Sequence, residues 1–193
     1  MFWKNLINCL FGLALMCVVF QSCQHMDNRQ CIEERMNSKI ESLDSSYTYL
    51  KLDNPSRIVY MLSRDYLNES YYLYVYDAAR DVTDSASIEI NEWRDKLLPG
   101  NSDSVVYFES CGGSAGWVDI IEFNVNSMVQ GNCIYEASHV NSIVPINSGF
   151  EIDLDSHWFC IDDDRYAHYN WKEKIDYEGN VTFRGDSILV YDD

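Results

Sequence analysis

Three groups of residues in this chain have the types that could do chemistry. Gly112-Gly113-Ser114-Ala115-Gly116 spells G-x-S-x-G, the pattern that in hydrolases sets a nucleophilic Ser on a sharp turn between a strand and a helix. Acids and then His157 or His168 follow it, in the chain order such enzymes use. The motif works only in a strand–turn–helix context. Residues 105–110 suit the strand, but 117–126 alternate apolar and polar residues with period two and are rich in β-branched types. The residues therefore predict a second strand and a hairpin loop, with the glycines chosen for positive φ. No catalytic residue is assigned on this basis, and the chain reads as non-enzymatic. The alternative is a small hydrolase using Ser114.

Cys133, His139, His157 and Cys160 are the right residue types for zinc. If 133–139 is one strand, its ends lie roughly 20 Å apart at ~3.3 Å per residue, whereas zinc ligands sit ~2.0–2.3 Å from the ion. His157 and Cys160 have opposite parity and would face opposite sides of a strand. No metal or other cofactor is assigned, and the histidines read as ordinary surface or partly buried side chains. A third group is acidic: Glu151, Asp153 and Asp155, then Asp162, Asp163 and Asp164, with no Lys or Arg between them. The first three share one face of a strand whose other face carries Ile152 and Leu154. Calcium takes 6–8 oxygens, but the EF-hand pattern fails because Trp158 stands where the sharp-turn Gly should follow Asp153. These six acids are the candidate binding surface for a cationic protein partner, with a solvated acidic face as the plainer reading.

The elements that must position these groups are mostly strands. Ile32, Met36, Ile40 and Leu43 form one apolar stripe at helical spacing, predicting a helix over 27–43. Residues 47–54 read as transitional and Pro55 punctuates them. Strands are expected at 57–62, 71–77, 105–110, 117–126, 133–139, 149–155, 158–161 and 166–171. A terminal hairpin is expected from 181–184 and 187–191, turning at Gly185-Asp186. Residues 91–98 read as a short helix closed by Pro99-Gly100, after a possible strand at 87–90. Turn signals every 8–12 residues predict a mainly β fold, an antiparallel sandwich or barrel with an N-terminal helix, the alternative being α+β. Tyr72, Tyr74 and Tyr76 share one face of a strand, so a glycan stacked on aromatic rings is a second possible ligand.

The N-terminus supplies an address. Lys4 precedes the 15-residue stretch 6–20, in which Asn8 is the one strongly polar residue. That is short of the ~20 apolar residues a spanning helix needs, and it has the order of an export signal. The ending Phe20-Gln21-Ser22-Cys23 resembles the lipobox of bacterial lipoproteins, in the looser form found in Bacteroidota; Phe20 and Gln21 stand where the commonest form has Leu and a small residue. The resemblance implies cleavage before Cys23 and a diacylglyceryl thioether plus an N-acyl chain on Cys23. It also implies a lipid anchor in the outer membrane of the cell envelope. A single acid, Asp27, lies within 24–29, which leaves the periplasmic and surface faces both open.

The chain then divides into a signal peptide at 1–22, a lipidated N-terminus with tether and amphipathic helix at 23–54, and one β-rich domain at 55–193. Fourteen basic and 31 acidic residues give a formal net charge of −17. That argues against nucleic acid as a partner, since phosphate binding needs clustered Lys and Arg. It argues equally against lying flat on an anionic lipid surface. Of seven cysteines, Cys9 and Cys17 leave with the signal and Cys23 takes the lipid, so Cys31, Cys111, Cys133 and Cys160 remain. In a meander of strands Cys111 and Cys133 fall at opposite ends and are expected not to bond. The function expected is that of a lipid-anchored envelope binding module for a protein partner or a glycan.

Overall fold

The computed structural model describes residues 28–62, 71–89, 92–112, 117–162 and 165–191. Helix α1 (28–42) opens the described chain. Fourteen strands follow: β1 (Tyr47–Lys51), β2 (Arg57–Leu62), β3 (Tyr71–Asp77), β4 (Val82–Ile88), β5 (Glu92–Pro99), β6 (Val105–Gly112), β7 (Trp117–Asn124), β8 (Val129–Ser138), β9 (Val140–Ile146), β10 (Gly149–Asp155), β11 (Phe159–Asp162), β12 (Arg165–Ile175), β13 (Val181–Arg184) and β14 (Ile188–Tyr191). They form three antiparallel sheets, each an up-and-down run of the chain. The first is β1-β2-β3-β4 and the second β5-β6-β7-β8. In the third, β9 pairs with β10, and β10 and β11 lie end to end along β12. On the far side of β12, β14 pairs with Ala167–Asn170 and β13 with Glu173–Ile175. The third sheet is thus also four strands wide, with two of its strands interrupted. The fold is mainly β and open, stacked as in a sandwich rather than closed as a barrel.

The sheets stack in chain order. One core joins Val59, Met61, Leu73 and Val75 of the first sheet to Val106, Phe108, Ile121 and Phe123 of the second. Another joins Tyr107, Val118 and Ile120 of the second to Ile143, Phe150, Ile152, Leu154 and Ile175 of the third. The middle sheet is therefore dry on both faces over much of its length. On β7 Glu122 and Asn124, in the second half of the strand, are partly exposed. Helix α1 covers the outer face of the first sheet, laying Met36, Ile32 and Ile40 on Ile58, Tyr60 and Tyr76. Because β1 pairs with β2 along its whole length, residues 47–51 belong to the first sheet, and the expected boundary at 54/55 cuts through that hairpin. At the start of β10, Gly149 has φ 145°, and a Cβ there would lie 2.0 Å from the Ile175 carbonyl oxygen. Only glycine lets β10 close so tightly on the end of β12.

Several expected elements are corrected. The short helix over 91–98 is strand β5, paired with β6; Leu97 and Leu98 go to opposite cores, which a strand between two sheets achieves and a helical face would not. Pro99 is tolerated because β5 is an edge strand. The terminal hairpin is a single interrupted edge strand. β13 and β14 both run antiparallel to β12, and Gly185, whose N–H bonds the Lys172 carbonyl, marks a kink rather than a reversal. Strands β1 and β9 were not expected, and β4 only at its last residues. The expected second-sheet meander is present. Cys111 is in register with Val118 and Ala137, and Cys133 with Ile121, so the two cysteines sit two strands apart and out of register, beyond the ~7 Å Cα limit for a bridge. Cys31 and Cys133 are free thiols. Among the described residues no helix is long and apolar enough to cross a membrane; the expected signal and Cys23 lie outside them.

Candidate binding face on the third sheet

Register decides what each face of the third sheet carries. Phe150, Ile152 and Leu154 point into the second core, so Glu151, Asp153 and Asp155 point away from it. Residues paired across the strands share this outer face and form rows. Val144, Glu151, Lys174 and Phe183 make one row. Ser142, Asp153 and Lys172 make the next, followed by Asp155, Asn170 and Ile188. His168 and Val190 follow, with Trp158 packed on the His168 ring at 4.2 Å, and then Cys160 and Tyr166. No further sheet covers this face among the described residues. Ile188 is 64% exposed, Val144 52%, Phe183 51% and Trp158 50%.

The acids are not the bare run that their spacing in sequence implied. Lys172 donates to Glu151 Oε1 at 3.0 Å, and Lys174 lies 3.5 Å from Oε2. The hydrogen bond from Lys172, and then its charge, hold the Glu151 carboxyl below the usual range, and the same pairing raises the Lys172 ammonium. Asn170 bridges the other two, its Nδ2 donating to Asp153 at 2.7 Å and Asp155 at 3.0 Å. Asp155 also meets His168 Nε2 at 3.3 Å. Asp162 ends β11, while Asp163 and Asp164 lie outside the described residues. The face is therefore mixed: apolar side chains at its margins, and in its centre carboxylates partly answered by two lysines.

The other candidate groups fall elsewhere. Ser114 lies outside the described residues, but Gly112 and Trp117 pair across the antiparallel β6–β7 hairpin, so a strand follows where the hydrolase elbow needs a helix. Cys133 sits within β8, and burial, then the charge of Asp119, pushes its thiol up, away from the thiolate that a ligand or nucleophile requires. Among the described residues no group of three His, Cys, Asp or Glu is placed to hold a metal ion. His139 and His157 do come together, their Nε2 atoms 3.2 Å apart. Strand parity could not show this, because residues 156–158 break the strand between β10 and β11.

The tyrosines of the first sheet form a row on its outer face. Tyr60 stacks on Tyr74 at 5.0 Å, Tyr74 leans on Tyr72 at 6.4 Å, and Lys39 of α1 caps Tyr60 at 4.7 Å. Tyr76 donates to Asp81 at 2.8 Å, and burial, then that bond, pushes its phenol up to about 12. Most of the row is consumed in seating the helix. Tyr49 and Tyr72 remain exposed. A cleft of about 880 Å³ lies between α1 and the β1–β2 turn, lined by Ile32, Met36, Leu52 and Pro55 together with Arg29 and Lys51.

No family model matches the chain, and no curated protein does. Among solved structures, one that is similar is the β-propeller domain of the Trilobed protease from Pyrococcus furiosus, described as having an open velcro topology. It is 9% identical, with a TM-score of 0.38 over 77% of this chain and 44% of that one. The chain thus spans less than half the length of that structure, and at that score nothing is carried over from it.

Proposed function

We propose that this chain is a non-enzymatic interaction module, lipid-anchored through Cys23 in the outer membrane of the cell envelope. Its partner is a protein bearing both apolar and basic side chains, docked on the outer face of the third sheet. One observation carries the reading. The last face of a three-sheet stack displays Val144, Trp158, Phe183 and Ile188 to water, beside Glu151, Asp153 and Asp155. Large apolar side chains left exposed on an uncovered sheet face favour an interaction site, and here they flank the charged centre on both sides. Each Å² of apolar surface that a partner covers contributes roughly 25 cal/mol before the costs of association. Trp158 is of the residue type that most often anchors such contacts. A glycan stacked on Tyr49 and Tyr72 is the second reading, favoured by the exposure of those two rings.

The test is recovery of envelope proteins on the full chain in detergent. Wild type is compared with Phe183→Asp/Ile188→Asp and with Asp153→Asn/Asp155→Asn/Asp163→Asn, at low and moderate salt. Loss of the same proteins with the first variant at both salts, and slower association with the second at low salt, is expected. Equal recovery on all three chains would show the face to be only solvated surface, and retention lost instead with Tyr49→Ala/Tyr72→Ala would move the site to the first sheet.

A further inference from the structure

We propose that His139 and His157 together bind a divalent transition-metal ion of the zinc, copper or nickel kind. Their Nε2 atoms are 3.2 Å apart, with rings at 74° and centroids 4.0 Å apart. Two imidazoles at ~2.0–2.1 Å from one tetrahedral ion hold their nitrogens about 3.3–3.4 Å from each other, so the spacing already fits.

The backbone holds the pair in place. His139 turns the corner between β8 and β9 at φ 56°, and its carbonyl accepts the Asp155 N–H at 2.9 Å. His157 lies two residues beyond Asp155, in the break that separates β10 from β11. The corner and the break are thereby tied together, and ligand spacing does not depend on long flexible side chains.

The donor set selects the ion. Two imidazoles, with no carboxylate placed beside them among the described residues, suit zinc, copper and nickel rather than calcium or magnesium; Asp155 is already engaged by Asn170 and His168. His157 is exposed, so water completes the coordination and leaves positions that another donor can take. Two imidazoles open to water gain little from one another, because each can bond solvent as well. An ion bridging them gives the close approach a purpose.

The experiment uses the full chain in detergent, stripped with chelator and titrated calorimetrically with zinc, with cobalt(II) spectra as a second readout. One ion per chain is expected, and His139→Asn and His157→Ala should each weaken it tenfold or more. Asn keeps the left-handed backbone accessible at position 139, and unchanged melting of each ion-free variant shows that the fold is retained. Replacing Cys133 and Cys160 by Ser should leave binding unaltered, and the cobalt spectrum should lack thiolate bands. No binding by wild type, equal binding by the histidine variants, or loss on cysteine replacement would each overturn the site.

Discussion

The two faces of the third sheet should respond oppositely to truncation, and Phe150 and Ile188 are the residues that show it. Phe150 is 0% exposed and meets Tyr107 at 5.2 Å and Tyr177 at 5.5 Å, both edge to face. Phe150→Ala removes the ring from a site walled by two sheets, where collapse around the cavity is limited. Such changes cost about 3–5 kcal/mol, and the loss of two aromatic contacts, each ~0.5–1.5 kcal/mol beyond area, places this one near the top of that range. A domain's whole stability is about 5–15 kcal/mol, so much of it goes. Ile188 is 64% exposed on the opposite face, and Ile188→Ala should change stability by no more than about 0.5 kcal/mol. Urea denaturation followed by circular dichroism reads both as shifts in midpoint at unchanged slope. A Phe150→Ala cost under about 1.5 kcal/mol, or an Ile188→Ala cost above it, would refute the assignment of inner and outer faces, and the docking surface with it.

Two further outcomes are expected. Lys172→Met should raise the Glu151 titration midpoint, seen by carboxyl carbon NMR, toward the ordinary value of ~4.3. The pairing contributes stability above the unfolded carboxyl's pKa, and that stability is lost as pH falls through the depressed folded value, so the variant should show a shallower loss at acid pH; an unmoved midpoint would mean no such contact in solution. Cys23→Ala should abolish fatty-acid labelling and block processing or release a soluble domain, whereas continued labelling would remove the anchor.

How much of this was legible in sequence depended on whether a strand's pattern was local. Arg57–Leu62, Tyr71–Asp77, Gly149–Asp155 and Val181–Arg184 stand at the bounds expected for them, because each is β-branched or aromatic and is flanked by turn residues. Strand β9, VNSIVPI, hid because Asn141, Ser142 and Pro145 read as loop; only Val140 and Ile143 of its residues are buried. The helix expected over 91–98 failed because Leu97-Leu98 looks like part of one apolar face until a second sheet is known to lie on the other side. The acidic run misled in the same way. No cation intervenes between Glu151 and Asp164 in sequence, yet Lys172 and Lys174 arrive across the ladder from β12. Cross-strand partners 21 residues distant, as Lys172 is from Glu151, leave no mark in local spacing, and neither did the approach of His139 to His157.

The outer face of the third sheet stands out by what the other faces do with similar residues. The first sheet's outer face is as aromatic, but a helix with a matching stripe lies over it. The middle sheet's two faces are each closed by a neighbour. At the third sheet β9, β13 and β14 place Val144, Phe183, Ile188 and Val190 outward with no further sheet over them among the described residues. Solubility does not require this, since a chain of net charge −17 has ample polar residues for an outward face. In the proposed complex the lysines beside Glu151 also divide the labour of binding. They cancel part of the local acid, so long-range attraction rests on Asp153, Asp155 and the overall negative charge, which salt screens beyond ~8 Å at physiological strength. Affinity at contact rests on the apolar margins, which salt does not screen. Association should accordingly slow as salt rises while dissociation stays nearly constant, and a complex whose dissociation instead accelerates steeply with salt would be held by charge, not by this face.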